Sequence, residues 1–120
     1  MLNASPMKIL VFEDNLMWSA RLVQSLKALG HEPLVRTALP DSSEGAAVAI
    51  VNLGSPKLKP EELVPRLTAM GIHVIGHAGH KEKELHALGR EVGCNTLATN
   101  SELTFKLPAL IEQAASSSSG

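Results

Sequence analysis

Two adjacent carboxylates, Glu13 and Asp14, stand directly after the apolar run Ile9-Leu10-Val11-Phe12. Acids paired on a loop suit a hard divalent cation such as Mg²⁺, which takes oxygen ligands. The same pair also suits the opening of a helix, where negative side chains complement the positive end of the dipole. A second group is rich in histidine: His73, His77, His80 and His86 lie close in sequence. Neutral imidazoles and carboxylates are Zn²⁺ or Ni²⁺ ligands, and His77 and His80 are the pair that would meet Glu13 and Asp14. Against this, the spacing matches no standard metal motif, and a lone histidine on a loop or helix is ordinarily solvated. Histidines that titrate near neutrality also make a pH-sensitive patch. Cys94 is the single cysteine, and a small buried filler is its plainer reading than a reactive thiol. No Gly-x-Ser-x-Gly elbow follows a strand, and Gly76 and Gly79 form no phosphate loop. With no nucleophile–base pair in view, no enzymatic activity is expected.

These groups must be placed by the elements around them, and the chain alternates strand-like and helix-like patches. Ile9 to Phe12 reads as a strand buried on both faces. Asn15 to Leu29 carries Trp18, Leu22, Leu26 and Leu29 at helical spacing, with Gly30 as its stop. Glu32 to Arg36 is a short second strand. Thr37 to Gly45 holds Pro40, Asp41, Ser42 and Ser43, which favour a turn or a stub of helix. Ala46 to Leu53 is a third strand closing on Asn52 and the turn Gly54-Ser55-Pro56. Pro60-Glu61-Glu62 opens a helix that ends before Gly71, with Pro65 predicting a kink or a later start. Ile72 to Gly76, a polar helix over 81–92 and Cys94 to Ala98 follow. Thr99 and Glu102 have capping-box spacing, and Pro108 breaks or starts the last helix. Five strands alternating with helices predict a parallel sheet. In such sheets ligands meet the residues just beyond the strands' carboxyl ends.

Composition sets further bounds. The chain has 120 residues, enough for one domain, with 44 % hydrophobic and 19 % charged residues. A net charge of −1 gives no bulk attraction to nucleic acid or to an anionic membrane. No Tyr and only two Phe argue against an aromatic stacking platform for bases. The single cysteine excludes an intrachain disulfide and fits a reducing compartment, so a cytoplasmic location is expected. No apolar run reaches the roughly 20 residues of a membrane span. Met1 to Pro6 has no basic n-region, so no signal peptide is expected. The expected domain is 7–115, with flexible termini at 1–6 and 116–120.

The order LVFEDN, then AVAIVNLGSP, resembles the receiver domain of two-component response regulators over nearly all of Met7 to Ala115. The resemblance implies a flavodoxin-like three-layer α/β fold with a five-stranded parallel sheet, order 2-1-3-4-5, and helices on both faces. In that family an acidic pair binds Mg²⁺ and an aspartate ending strand three accepts a phosphoryl group. A Ser or Thr ends strand four, and a lysine followed by proline ends strand five. Glu13 and Asp14 match the pair. Asn52 stands at the phosphoacceptor, Ala78 at the hydroxyl and Asn100 at the lysine, with Ser101 for the proline. An amide is not the carboxylate nucleophile, Ala78 offers no hydroxyl and Asn100 no cation. The expectation is a pseudo-receiver that signals without phosphorylation, with Asn52 imitating a neutral, unphosphorylated aspartate. No cofactor is expected beyond weak Mg²⁺ at Glu13 and Asp14. The implied partner is a protein, namely a signalling kinase, a regulator, a transcription component or a second copy. It would meet the face around Arg90, Leu97 and Phe105, and neither nucleic acid nor membrane would be bound directly. A Zn²⁺ or Ni²⁺ domain using His77 and His80, and a small α/β enzyme or ligand binder, are the alternatives.

Overall fold

A computed structural model describes residues 6–118. The expected flexible termini fall largely on residues 1–5 and 119–120, which lie outside the described residues. The last helix continues to Ser118, past the expected boundary at Ala115.

The run Lys8–Phe12 forms β1, and every residue after Lys8 in it is buried. Alternation sends Ile9 and Val11 to one face and Leu10 and Phe12 to the other. Both faces are covered, which is why the strand reads as an unbroken apolar run. The other strands are β2 (Glu32–Arg36), β3 (Ala46–Asn52), β4 (His73–Ala78) and β5 (Thr96–Thr99). All pairings are parallel, and the order is β2-β1-β3-β4-β5, as expected.

One face carries α1 (Leu16–Ala28), α4 (Asn100–Phe105) and α5 (Leu107–Ser118). Leu22, Leu26, Leu103, Leu107 and Ile111 pack there on Ile9, Val11, Val48, Ile50 and Ile75. The other face carries α2 (Pro60–Ala69) and α3 (Lys83–Val92), with Leu63, Val64 and Leu67 set against Leu10, Phe12, Ala49, Val51 and Val74. Asn15 caps α1, its Oδ1 accepting from the Trp18 N–H. Leu29 is 39 % exposed, so the α1 stripe ends one turn earlier than its spacing suggests. The predicted capping box of Thr99 and Glu102 starts α4.

Three local expectations are settled. The segment 37–45 contains no helix. It is a loop held by the bidentate Arg36–Glu44 pair (2.6 and 2.9 Å) and by an Arg66 bond to the Pro40 carbonyl. Pro40 and the left-handed pair Glu44 and Gly45 interrupt helical dihedrals in this segment. Helix α2 starts at Pro60 and runs unbroken through Pro65, whose ring lies exposed. The C-terminal helix is two helices, separated at Lys106, and Pro108 occupies the first turn of the second.

Cys94 is half-buried beside β4. A Cβ on Gly76 would lie 2.7 Å from its sulfur, so the two fit only because residue 76 is glycine. Burial pushes the thiol up to about 11, as suits a packing residue.

Candidate functional site

The carboxyl ends of β1, β3, β4 and β5 bring four polar side chains from distant parts of the chain together. Asn52 ends β3 and pairs in register with His77, and Ala78 pairs with Thr99, immediately before Asn100. Glu13 follows β1 and is only 2 % exposed. Its Oε2 accepts from Asn52 Nδ2 at 2.9 Å and from the Asn15 N–H at 3.1 Å. Its Oε1 lies 3.5 Å from His77 Nε2. On the far side of the ring, His77 Nδ1 lies 2.8 Å from Asn100 Oδ1. The Trp18 ring closes the top of His77, with centroids 6.2 Å apart and planes tilted by 43°.

The orientation of the Asn52 amide is fixed by its neighbours. Its Oδ1 accepts from the Gly54 N–H at 2.9 Å, which only an oxygen can do. Its NH₂ therefore faces the Glu13 carboxylate, which can only accept. An aspartate here would set two anionic oxygens against each other, so asparagine is what this network requires.

Glu13 titrates below its usual value. Burial pushes its carboxyl up, but the His77 ring, the Asn52 amide and the Asn15 N–H outweigh that and hold the charged form. Asp14 plays a separate part. It is exposed, and its Oδ2 accepts from the buried Ser55 hydroxyl at 2.5 Å, tying the turn after β3 to the end of β1.

Ala78 is 2 % exposed and packs into the α2–α3 face of the core, presenting no polar atom. Of the residues singled out in the sequence, Glu13, Asn52, His77 and Asn100 thus share one cluster, with Asp14 and Ala78 at its edges. The Zn²⁺ or Ni²⁺ alternative is not assembled. The Gly79 turn carries His80 to the surface, while His73 sits at the opposite end of β4 against Thr96. Among the described residues no three His, Cys, Asp or Glu side chains are grouped to hold a metal. Trp18 and Ser55 belong to the site and were not legible as such. Ser55 looked like a turn residue, and Trp18 like one more member of an apolar stripe.

The Mg²⁺ that the resemblance implies can be tested against this donor set. Mg²⁺ demands near-octahedral oxygens and keeps several waters. Asn52 aims its nitrogen, not its oxygen, into the pocket, and both Glu13 oxygens are enclosed by protein. Asp14 alone faces solvent. The donors do not fit the ion.

No protein-family model matches the chain. No curated protein matches its sequence. Solved structures do match. A receiver domain protein described as CheY-like, from Methanospirillum hungatei JF-1, superposes with a TM-score of 0.77 at 15 % identity, over 96 % of this chain and 98 % of its own. This chain has the receiver fold. The receiver domain of the Francisella response regulator 1452 shares it, with a TM-score of 0.71 and 16 % identity over 92 % of this chain and 98 % of that one. Full-length FixJ from B. japonicum aligns at 19 % identity and a TM-score of 0.78, over 96 % of this chain but 60 % of FixJ. The matched fold is therefore nearly the whole of some neighbours and one part of a longer chain in another.

Proposed function

We propose that this chain is a receiver-like signalling module that works by protein contact, without phosphorylation and without catalysis, in the cytoplasm. The observation that carries the reading is the Asn52 amide, bonded through its nitrogen to Glu13 and through its oxygen to Gly54. A phosphoacceptor needs a free carboxylate oxygen and partners that neutralise the incoming charge. Here the acceptor is an engaged amide, the hydroxyl position is Ala78, and the cation position is Asn100, already paired with His77. Phosphodonor treatment with Mg²⁺ is expected to add no phosphoryl mass to the intact protein. A stoichiometric adduct on any residue of this pocket would sink the reading.

The contact surface is redrawn from the sequence expectation. Leu97 is half-buried and packs into the core against α3, so it is not a free contact. Phe105 is 80 % exposed, and Leu16 and Met17 at the start of α1 are 84 % and 77 % exposed. A groove between α1 and the α4–α5 junction is lined by Trp18, Arg21, Leu22, Leu103, Thr104 and Leu107. Phe105 follows the lining residue Thr104 in sequence, and Met17 precedes Trp18. Arg90 is exposed on α3, among charges of both signs that favour specificity over bulk attraction. The expected partner is a protein, either a kinase, a regulator or transcription component, or a second copy. Phe105→Ser is expected to leave stability within about 0.5 kcal/mol and to weaken partner binding by about 2 kcal/mol, roughly 30-fold. Paired urea melts and binding isotherms check it, and unchanged binding would move the interface elsewhere. No helix among the described residues is long and apolar enough to cross a membrane.

A further inference from the structure

The amide at position 52 is not the only barrier to a cation. We propose that His77 closes the strand-end pocket to metal independently of Asn52, so that restoring aspartate at 52 does not by itself restore a metal site. This inference rests on the reading of the chain as a receiver-like module without phosphorylation.

Glu13 Oε1 and His77 Nε2 are both buried, neither has a hydrogen-bond partner, and they face each other across 3.5 Å. The other carboxylate oxygen is already occupied by two N–H donors. A Mg²⁺–oxygen bond is about 2.0–2.1 Å and the ion holds its waters tightly. A carboxylate with both oxygens enclosed cannot meet it without first turning out of the protein.

His77 is what opposes that turn. It reaches Glu13 from β4, is braced from below by Asn100 at 2.8 Å, and is covered by Trp18. The brace draws on three separate elements: the end of β4, the start of α4 and the first turn of α1. None of these contacts involves residue 52. An aspartate at 52 would lose the bond to Glu13 and add repulsion, yet His77 would still flank Oε1. His77 is thus a positioning residue for Glu13, walling in Oε1 by contact rather than by a hydrogen bond.

The test is calorimetric titration with Mg²⁺ alone, since a phosphoryl mimic would also need partners that Ala78 and Asn100 do not supply. Four proteins are compared: wild type, N52D, N52D/H77V and E13D/N52D. The last shortens the carboxylate by one carbon–carbon bond, about 1.5 Å, and withdraws it from His77 without emptying the core. It carries the test if the valine variant does not fold, and thermal melts establish which variants are folded. The expected result is no saturable heat for wild type or N52D. Folded N52D/H77V or E13D/N52D should bind Mg²⁺ at least about tenfold more tightly than N52D. Equal binding by N52D and the double variants would overturn the role of His77 while leaving the functional reading intact. Folded double variants that do not bind would overturn it as well. Saturable binding by the wild type would overturn both.

Discussion

Replacing His77 by alanine is expected to lower the unfolding free energy by about 3 kcal/mol at neutral pH. Leaving a buried carboxylate short of a facing group costs about 1–3 kcal/mol, and more for a charged group than for a neutral one. The lower end applies to Glu13, since it keeps the Asn52 and Asn15 donors. The rest comes from the hole left under Trp18 and from Asn100 Oδ1, stripped of its partner. Asn100→Ala removes that last bond alone and should cost about 1 kcal/mol.

The effect should depend on pH in a defined direction. The folded-state value of Glu13 lies below the ordinary 4.5, held there against burial by His77, Asn52 and Asn15. A depressed carboxyl contributes stability that is fully present above its unfolded value and is lost as pH falls through its folded value. Without His77 that depression shrinks, so the mutant has less to lose on acidification. The gap between wild type and His77→Ala should therefore narrow between neutral pH and about pH 3. Urea melts of both proteins across that range check it. A gap that stays constant would mean that His77 acts by filling space rather than through Glu13.

The strand order was legible because apolar runs such as Ile9-Leu10-Val11-Phe12 and Ala47-Val48-Ala49-Ile50-Val51 carry the pattern of strands buried on both faces. The pocket's outline was legible for the same reason. Once β3, β4 and β5 were placed, Asn52, Ala78 and Asn100 had to fall at their carboxyl ends, and the register puts them there. The role of His77 was not legible as read. It stood out as a metal ligand, yet its parity held the answer. His77 lies two residues after Ile75, whose side chain faces the α1–α5 layer, so His77 must face inward too. Glu13 has the same relation to Val11. A histidine and a glutamate extending buried stripes at the ends of β4 and β1 need partners: Glu13 finds Asn52 and the Asn15 N–H, and His77 finds Asn100. The fate of Leu97 was hidden by a different effect. Its strand lies at the sheet edge, where an apolar residue reads as exposed, but a glycine in α3 lets the helix come down onto it.

That glycine is the second place where a large effect is expected. Gly89 is buried on the inner face of α3, and a Cβ there would lie 2.4 Å from Leu97 Cδ2 and 2.8 Å from Leu53 Cδ1. The two neighbours differ in their freedom to move. Leu97 is half-buried and can turn toward solvent. Leu53 is 3 % exposed and is also wedged against Gly76, where a Cβ would meet its Cδ1 at 3.1 Å. Gly89→Ala therefore asks mainly for a rotation of Leu97, and alanine gains about 1 kcal/mol of helix propensity over glycine. The net change should stay within about 1 kcal/mol, as overpacking and propensity offset each other. Gly89→Val adds two methyl groups at the same point and gains less propensity. Leu53 has no second position to take, so α3 must lift from the sheet. That change is expected to cost about 3 kcal/mol, the upper part of the range for overpacked cores. Lifting α3 would also shift exposed Arg90, so the valine variant should lose partner binding that the alanine variant keeps. Urea melts of the two variants side by side decide it. A valine variant as stable as the alanine one would mean that α3 is not pinned at Gly89, and that Leu97 is free to serve as a surface contact after all.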